Sequence, residues 1–254
     1  MEQDLAKKTI RGAYDDPETV LRYMGGSYLW RSEEILVERF FPKAGDVLDL
    51  GCGTGRTSIP LSRKGLHVVG MDLSFLMVKE AQLEPARNGL LVDFLQMDAL
   101  SLAFKENSFD GALFSFNAMD HMVGYKGKVQ VLSQILRVLK PRAPFIFSAH
   151  RIWSPPHLSA LIRGGLKLNL GKILGMTYME KEWGELYNLN ASNPEERYSH
   201  FMISRKWESA LREAGFIIVC RQSRSQLESN RLRQRIRSCV SSYNYMFFVA
   251  CKPG

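Results

Sequence analysis

Cysteine is scarce and unpaired in spacing. The four residues, Cys52, Cys220, Cys239 and Cys251, form no C-x-x-C motif, which argues against a disulfide framework or a cysteine metal site and makes a reducing cytoplasm the expected compartment. No apolar run approaches the roughly 20 residues a membrane span needs. The opening residues, MEQDLAKKTIRGAYDDPETV, lack the apolar core of a secretory signal. No internal repeat or low-complexity tract interrupts the chain. What remains, 45% hydrophobic and 24% charged over 254 residues, is the composition of a globular domain with a sizeable core. The formal net charge of +8 is compatible with anionic partners but does not demand them.

Against those absences stands a dense glycine motif. Residues 47–55 read Val-Leu-Asp-Leu-Gly-Cys-Gly-Thr-Gly: a strand-like run carrying one acid, Asp49, then glycines at alternate positions, Gly51, Gly53 and Gly55. Such a turn lets backbone approach a ligand where a Cβ would collide. The G-x-G-x-G spacing differs from the G-x-G-x-x-G of dinucleotide sites, and no P-loop Lys-Ser/Thr follows. An acid ahead of the first glycine is poorly suited to a diphosphate and well suited to an ammonium group.

Downstream, strand and helix patterns alternate: strands over 46–50, 67–71, 91–96, 110–116 and 145–149, with helices over 57–64, 74–83 and 128–139 between them. Ser74 reads as an N-cap. This alternation predicts βαβ units and a parallel sheet. Residues 1–42 read as amphipathic helix broken at Gly25-Gly26. The alternation lapses over 151–203, an interruption of the length that forms lids or substrate walls, and resumes with a helix over 204–214 and strands over 216–221 and 245–252.

The glycine loop resembles that of the class I S-adenosylmethionine (SAM) methyltransferases, and the resemblance extends over about 44–150 and, more loosely, 204–252. It implies an α/β fold: a Rossmann-like, seven-stranded, mostly parallel sheet with helices on both faces and its last strand inserted antiparallel. It further implies one methyltransferase domain over 1–254, divided into an N-terminal cover (1–42), a SAM-binding core (43–150), a substrate lid (151–203) and the C-terminal part of the sheet (204–254).

The resemblance also assigns site residues. Asp49 would hold the cofactor ammonium. Gly51, Cys52, Gly53 and Gly55 would pass beneath its methionine part, with Cys52 a packing residue and not a nucleophile. Asp72 lies 21 residues past Gly51 at the end of the second strand, where an acid binds the ribose hydroxyls. Asp98 would accept from the adenine amine, with Leu73, Met77, Met97 and Ala99 around the ring. Phe116 would touch cofactor and substrate. One departure is Lys140-Pro141-Arg142-Ala143 where the family has Lys-Pro-Gly-Gly.

For the chemistry, an SN2 methyl transfer, alignment matters most. Catalytic or orienting candidates are Asn117 and His121 after the fourth strand, with Asp120 beside them, and His150 at the end of the fifth. Tyr198 and His200 are candidates for a pocket wall, and Tyr14, Tyr23 and Tyr28 for a cofactor cover. The expected product is S-adenosylhomocysteine and no metal is implied. The expected acceptor is a small-molecule metabolite. A peptide or protein side chain is the alternative, and RNA a weaker one: no Asn/Asp-Pro-Pro-Tyr/Phe segment follows the fourth strand. The RNA reading would rest on six arginines (221, 224, 231, 233, 235 and 237) with one acid, Glu228. The basic apolar stretch 158–174 reads as a lid helix more readily than as a membrane surface.

Overall fold

The computed structural model describes residues 2–83, 89–150, 162, 164–166, 168–170, 173, 180–188, 191, 197–228 and 245–254. Most of the stretch 158–174, and the arginines at 231, 233, 235 and 237 with Cys239, lie outside them.

Five parallel strands form the body of the sheet: β1 (Asp46–Leu50), β2 (His67–Asp72), β3 (Val92–Gln96), β4 (Gly111–Phe114) and β5 (Pro144–Ala149). A short antiparallel pair follows, β6 (Glu185–Tyr187) with β7 (Tyr198–His200). Strands β8 (Ile217–Ser223) and β9 (Met246–Cys251) complete the main sheet in the order β3-β2-β1-β4-β5-β9-β8, and β9 runs antiparallel to both its neighbours. The seven-stranded Rossmann-like sheet anticipated from the sequence is therefore present.

Strands β4 and β5 are buried at every position because helices cover both faces. On one face α6 (Gly124–Val138) and α7 (Ser204–Glu213) bring Val131, Leu132, Ile135, Trp207 and Leu211 onto Leu48, Ala112, Phe145 and Phe147. There the Phe147 ring stacks on Phe248 at 4.9 Å. On the other face α3 (Arg31–Phe40) and α4 (Ser58–Arg63) pack Leu36, Val37 and Leu61 against Val47, Val68, Leu113 and Ile146. Helices α1 (Glu2–Tyr14), α2 (Pro17–Tyr23), α5 (Phe75–Ala81) and α8 (Arg224–Glu228) complete the described set. Ser74 caps α5 as expected, its hydroxyl accepting from the Met77 amide. None of the described helices is long and apolar enough to cross a membrane.

Two differences from the sequence reading matter. Strand β4 ends two residues early because Phe116 and Asn117 turn left-handed (φ 52° and 58°), which no ladder accommodates. Arg142 adopts φ 65°, so the turn where the family has glycines keeps a left-handed residue without one.

At the opposite edge from the glycine loop, His67 bridges two acids across three strands, its Nδ1 2.8 Å from Asp46 and its Nε2 3.1 Å from Asp93. The bond to Asp46, and then that to Asp93, raise the imidazole pKa above its ordinary 6.5. A group whose pKa is raised on folding contributes stability fully below its unfolded value and loses it as pH rises through the folded value. We expect urea unfolding to show stability falling as pH rises through the folded pKa of His67, and His67→Asn to flatten that slope.

Candidate functional site

The carboxyl ends of β1, β2, β3 and β4 open into a cavity of about 480 Å³, the position at which open α/β sheets bind ligands. Its floor is the glycine loop. Gly51 and Gly53 are left-handed (φ 61° and 55°), and a Cβ added to Gly53 would meet only open space. That space is the room a ligand lying on the loop requires.

Asp72 fixes the loop. One carboxylate oxygen accepts from the Gly53 amide and the other from the Ser74 amide, both at 2.9 Å. Burial pushes its carboxyl up, against the lowering effect of those two bonds. Asp98 accepts from the Leu100 amide at 2.9 Å and pairs with Lys7 of α1 at 2.5 Å. Leu73, Met77, Met97 and Ala99 form apolar wall between the two acids, and Cys52, Phe116 and His121 also line the cavity. The Cys52 thiol is pushed up by burial and by Asp72 and Asp49, as befits a packing residue.

Several of the sequence candidates stand off the wall. Asp49 is fully buried behind the loop, one oxygen accepting from the Thr57 and Ser58 hydroxyls at 2.6 and 2.5 Å, the other with no hydrogen-bond partner. Burial raises its pKa to about 6 despite the bonds from Ser58 and Thr57. Gly55 faces inward, where Ile59 and Phe94 approach it, and its carbonyl accepts from the Ile59 amide in the first turn of α4. Asn117 is 2% exposed, its amide bonded to the Ser148 hydroxyl at 2.9 Å. His150 is turned onto the buried Asp120, which accepts from its backbone amide at 2.8 Å and lies 2.9 Å from its Nδ1. Asp120 is thereby occupied too, and neither residue lines the cavity.

His121 does reach it, from a single 3-10 turn, Ala118–His121. Its Nδ1 lies 2.8 Å from the Tyr198 carbonyl, which has no proton to give. The ring must donate there, so in the neutral imidazole the lone pair sits on Nε2. Tyr198 and His200 are fully buried and do not form wall; Tyr198 serves the site through that carbonyl.

Tyr14, Tyr23 and Tyr28 all line the cavity, and the cover is tied down at several points. The Asp15 carboxylate accepts from the Ser74 hydroxyl at 2.7 Å, and the Thr54 hydroxyl donates to the Tyr23 carbonyl at 2.7 Å.

The residue that sequence reasoning missed is Arg56, directly after the loop. Its guanidinium makes a fork-to-fork pair with the buried Glu33 at 2.9 and 2.8 Å and bonds the Ser115 hydroxyl at 2.9 Å. It sits 5.3, 5.0 and 5.6 Å from the ring centres of Tyr28, Trp30 and Phe116. Burial works against its charge and Glu33 more than offsets it. The sequence signal was only adjacency to the loop; Glu33, 23 residues upstream, gave none.

A family model described as a methyltransferase domain matches residues 47–142. A demethylmenaquinone methyltransferase of Clavibacter sepedonicus is 36% identical over 155 residues, covering 56% of this chain and 58% of that protein. An uncharacterised protein of Methanocaldococcus jannaschii is 31% identical over 178 residues, covering 70% and 64%. The chain spans about half the length of the curated relatives it matches. Among solved structures, a SAM-dependent methyltransferase of Methanosarcina mazei superposes with TM-score 0.66 at 19% identity, over 86% of this chain and 97% of that one. Phosphoethanolamine N-methyltransferase 2 of Haemonchus contortus, solved with S-adenosylmethionine, gives 0.64 at 18%, over 96% and 60%. These likenesses establish the fold.

Removing one partner of a buried ion pair leaves a charge stranded. Arg56→Met should therefore cost about 3–5 kcal/mol in chemical denaturation, and adding Glu33→Gln to that variant should restore a large part of the loss.

Proposed function

We propose that the chain is a class I S-adenosylmethionine-dependent methyltransferase that transfers the methyl group of S-adenosylmethionine to a nitrogen or oxygen nucleophile of a small-molecule metabolite. The observation that carries this reading is the single cavity whose wall joins the glycine loop, Asp72 and Asp98 to the His121 imidazole. The cofactor supplies a methyl group on a sulfonium that is already electrophilic, so the protein's task is alignment and the removal of one proton.

The residues present fit that cofactor. The open space over Gly53 accommodates its methionine part. Asp49, buried with one oxygen unpartnered, supplies negative potential beneath the loop where an ammonium would rest. Each Asp72 oxygen bonds one backbone amide and keeps a lone pair to accept from a ribose hydroxyl. Asp98 offers an acceptor to the adenine amine, shared with Lys7, and Leu73, Met77, Met97 and Ala99 enclose the ring.

At the other end, Tyr14 lies edge-on to His121 at 6.1 Å and Tyr23 edge-on to Phe116 at 6.1 Å, an aromatic lining suited to a compact acceptor. The His121 Nε2 lone pair receives the proton as the nucleophile attacks. A small acceptor agrees with the names of the relatives, which concern demethylmenaquinone and phosphoethanolamine.

Isothermal titration tests the cofactor assignment. S-adenosylhomocysteine should bind and NAD should not. Asp72→Ala should abolish measurable binding, and so should Gly53→Val, which puts a branched side chain at a left-handed residue and into the ligand space. A folded Gly53→Val protein that still bound would refute the loop assignment. Once a screen of small amines and phenols yields an acceptor, His121→Gln should keep S-adenosylhomocysteine affinity and lower turnover by about 10²–10⁴-fold.

A further inference from the structure

We propose that Lys128 is a positioning residue: its ammonium clamps the carbonyls on either side of His121 and so holds the imidazole at the cavity. The inference rests on the reading of His121 given above, but its geometry stands apart from it. Lys128 projects from α6 and is fully buried. Its Nζ donates to the Met122 carbonyl at 2.6 Å and reaches the Asp120 carbonyl at 3.5 Å. Those are the residues immediately before and after His121. The 3-10 turn is one turn long and ends in extended backbone at Met122, so its terminal carbonyls have no helix to bond them. A buried lysine is a costly way to satisfy two carbonyls unless their placement matters.

The surroundings tune the ammonium from several elements. Trp207 of α7 lies beneath it, 5.4 Å from Nζ to ring centre. Asp120 faces it from the 3-10 turn, Glu182 and Glu185 from the entry to β6, and His200 from β7. Burial lowers the Lys128 pKa to about 7, against the raising effect of Asp120, Glu185 and Glu182. Burial, with Lys128 and Lys206, lowers that of His200 to about 3, so His200 adds no competing charge near neutrality. A protonated Lys128 offers three donors and a charge-assisted bond; the neutral amine offers a weaker clamp. Loss of the Lys128 proton would therefore weaken the grip on the turn carrying His121.

The imidazole and its neighbours are fixed by further bonds. Nδ1 is fixed by the Tyr198 carbonyl. The Tyr198 hydroxyl donates to Glu185 and accepts from the Gly124 amide, each at 3.0 Å. Asp120 is fixed by His150. Lys128 alone among these groups grips the backbone on both sides of His121.

Protein labelled with ¹⁵N-histidine and ¹³Cε-lysine tests the proposal without any acceptor. The His121 signals are assigned with His121→Gln and those of Lys128 with Lys128→Met. In the wild type, His121 should carry the Nδ1–H tautomer pattern. In Lys128→Met, whose side chain keeps the packing on Trp207, that pattern should be lost while S-adenosylhomocysteine affinity is unchanged; Lys128→Arg should restore it. A folded Lys128→Met protein with the wild-type His121 pattern would overturn the proposal. Should Lys128→Met not fold, a titration of uniformly ¹⁵N-labelled wild type decides: backbone amides 120–123 should shift with the midpoint of Lys128, and amides that stay still as Lys128 titrates would equally overturn it. Failure of the wild type to bind S-adenosylhomocysteine would instead strike the cofactor reading and leave these signals to be judged on their own.

Discussion

A largely buried guanidinium must be satisfied mostly by its own chain, and the arrangement that satisfies Arg56 organises the wall near the cavity. Its partner Glu33 belongs to α3 and also accepts from the Trp30 amide. Its third contact, Ser115, follows β4 and itself donates to Glu33. The Arg56 carbonyl accepts from the Tyr28 amide at 2.9 Å. One side chain therefore joins the N-terminal cover, the glycine loop and the carboxyl end of β4. The rings of Tyr28, Trp30 and Phe116 crowd the charge and add cation–π attraction to those bonds. The cover is consequently part of the site's wall and not an appendage resting upon it.

The same junction sustains an unfavourable stretch of backbone. Two consecutive residues that are not glycine, Phe116 and Asn117, are left-handed. Asparagine tolerates this conformation far better than phenylalanine, and strain of order 1–3 kcal/mol per residue persists only where neighbours over-determine it. Here they do: Ser148 bonds the Asn117 amide, and Trp30 packs at 5.2 Å from Phe116. The consequence is directional. An uninterrupted β4 would carry residues 115–117 along the sheet axis, whereas the left-handed pair turns the chain across the strand ends and delivers the 3-10 turn, with His121, to the cavity.

How much of this was legible in the sequence follows from the range of the interactions involved. The strands and the glycine loop were legible because their signals are local: apolar runs bounded by turn residues, and alternate glycines after a strand. Asp72 was legible through its spacing from Gly51, a distance set by one βαβ unit. The pair β6–β7 was missed because three-residue strands carry no period. The early end of β4 was missed because Phe116 reads as one more strand residue, and its turn is enforced by Trp30 and Ser148 from elsewhere in the chain. His150 sits at the carboxyl end of a strand, the right neighbourhood for chemistry, yet a buried Asp120 thirty residues away captures it. Asp49 was read correctly as an acid in the loop's strand, but its alternation on β1 faces it onto Thr57 and Ser58 behind the floor.

The site thus divides by the kind of constraint that holds each half. The half carrying Asp72 and Asp98 is built from strand ends and backbone amides, so its geometry follows from the sheet and changes little with surrounding side chains. The half carrying His121 is built from one short turn, held by Lys128 of α6, the Tyr198 carbonyl of β7 and His150 just after β5. On such a fold one end of the cavity can be remade while the other is kept, because the two ends rest on different contacts. In this chain the contacts at the His121 end include the buried Lys128, whose pKa burial lowers to about 7. Both halves therefore carry buried ionisable groups, since burial also pushes up the carboxyl of Asp72 in the half built from strand ends.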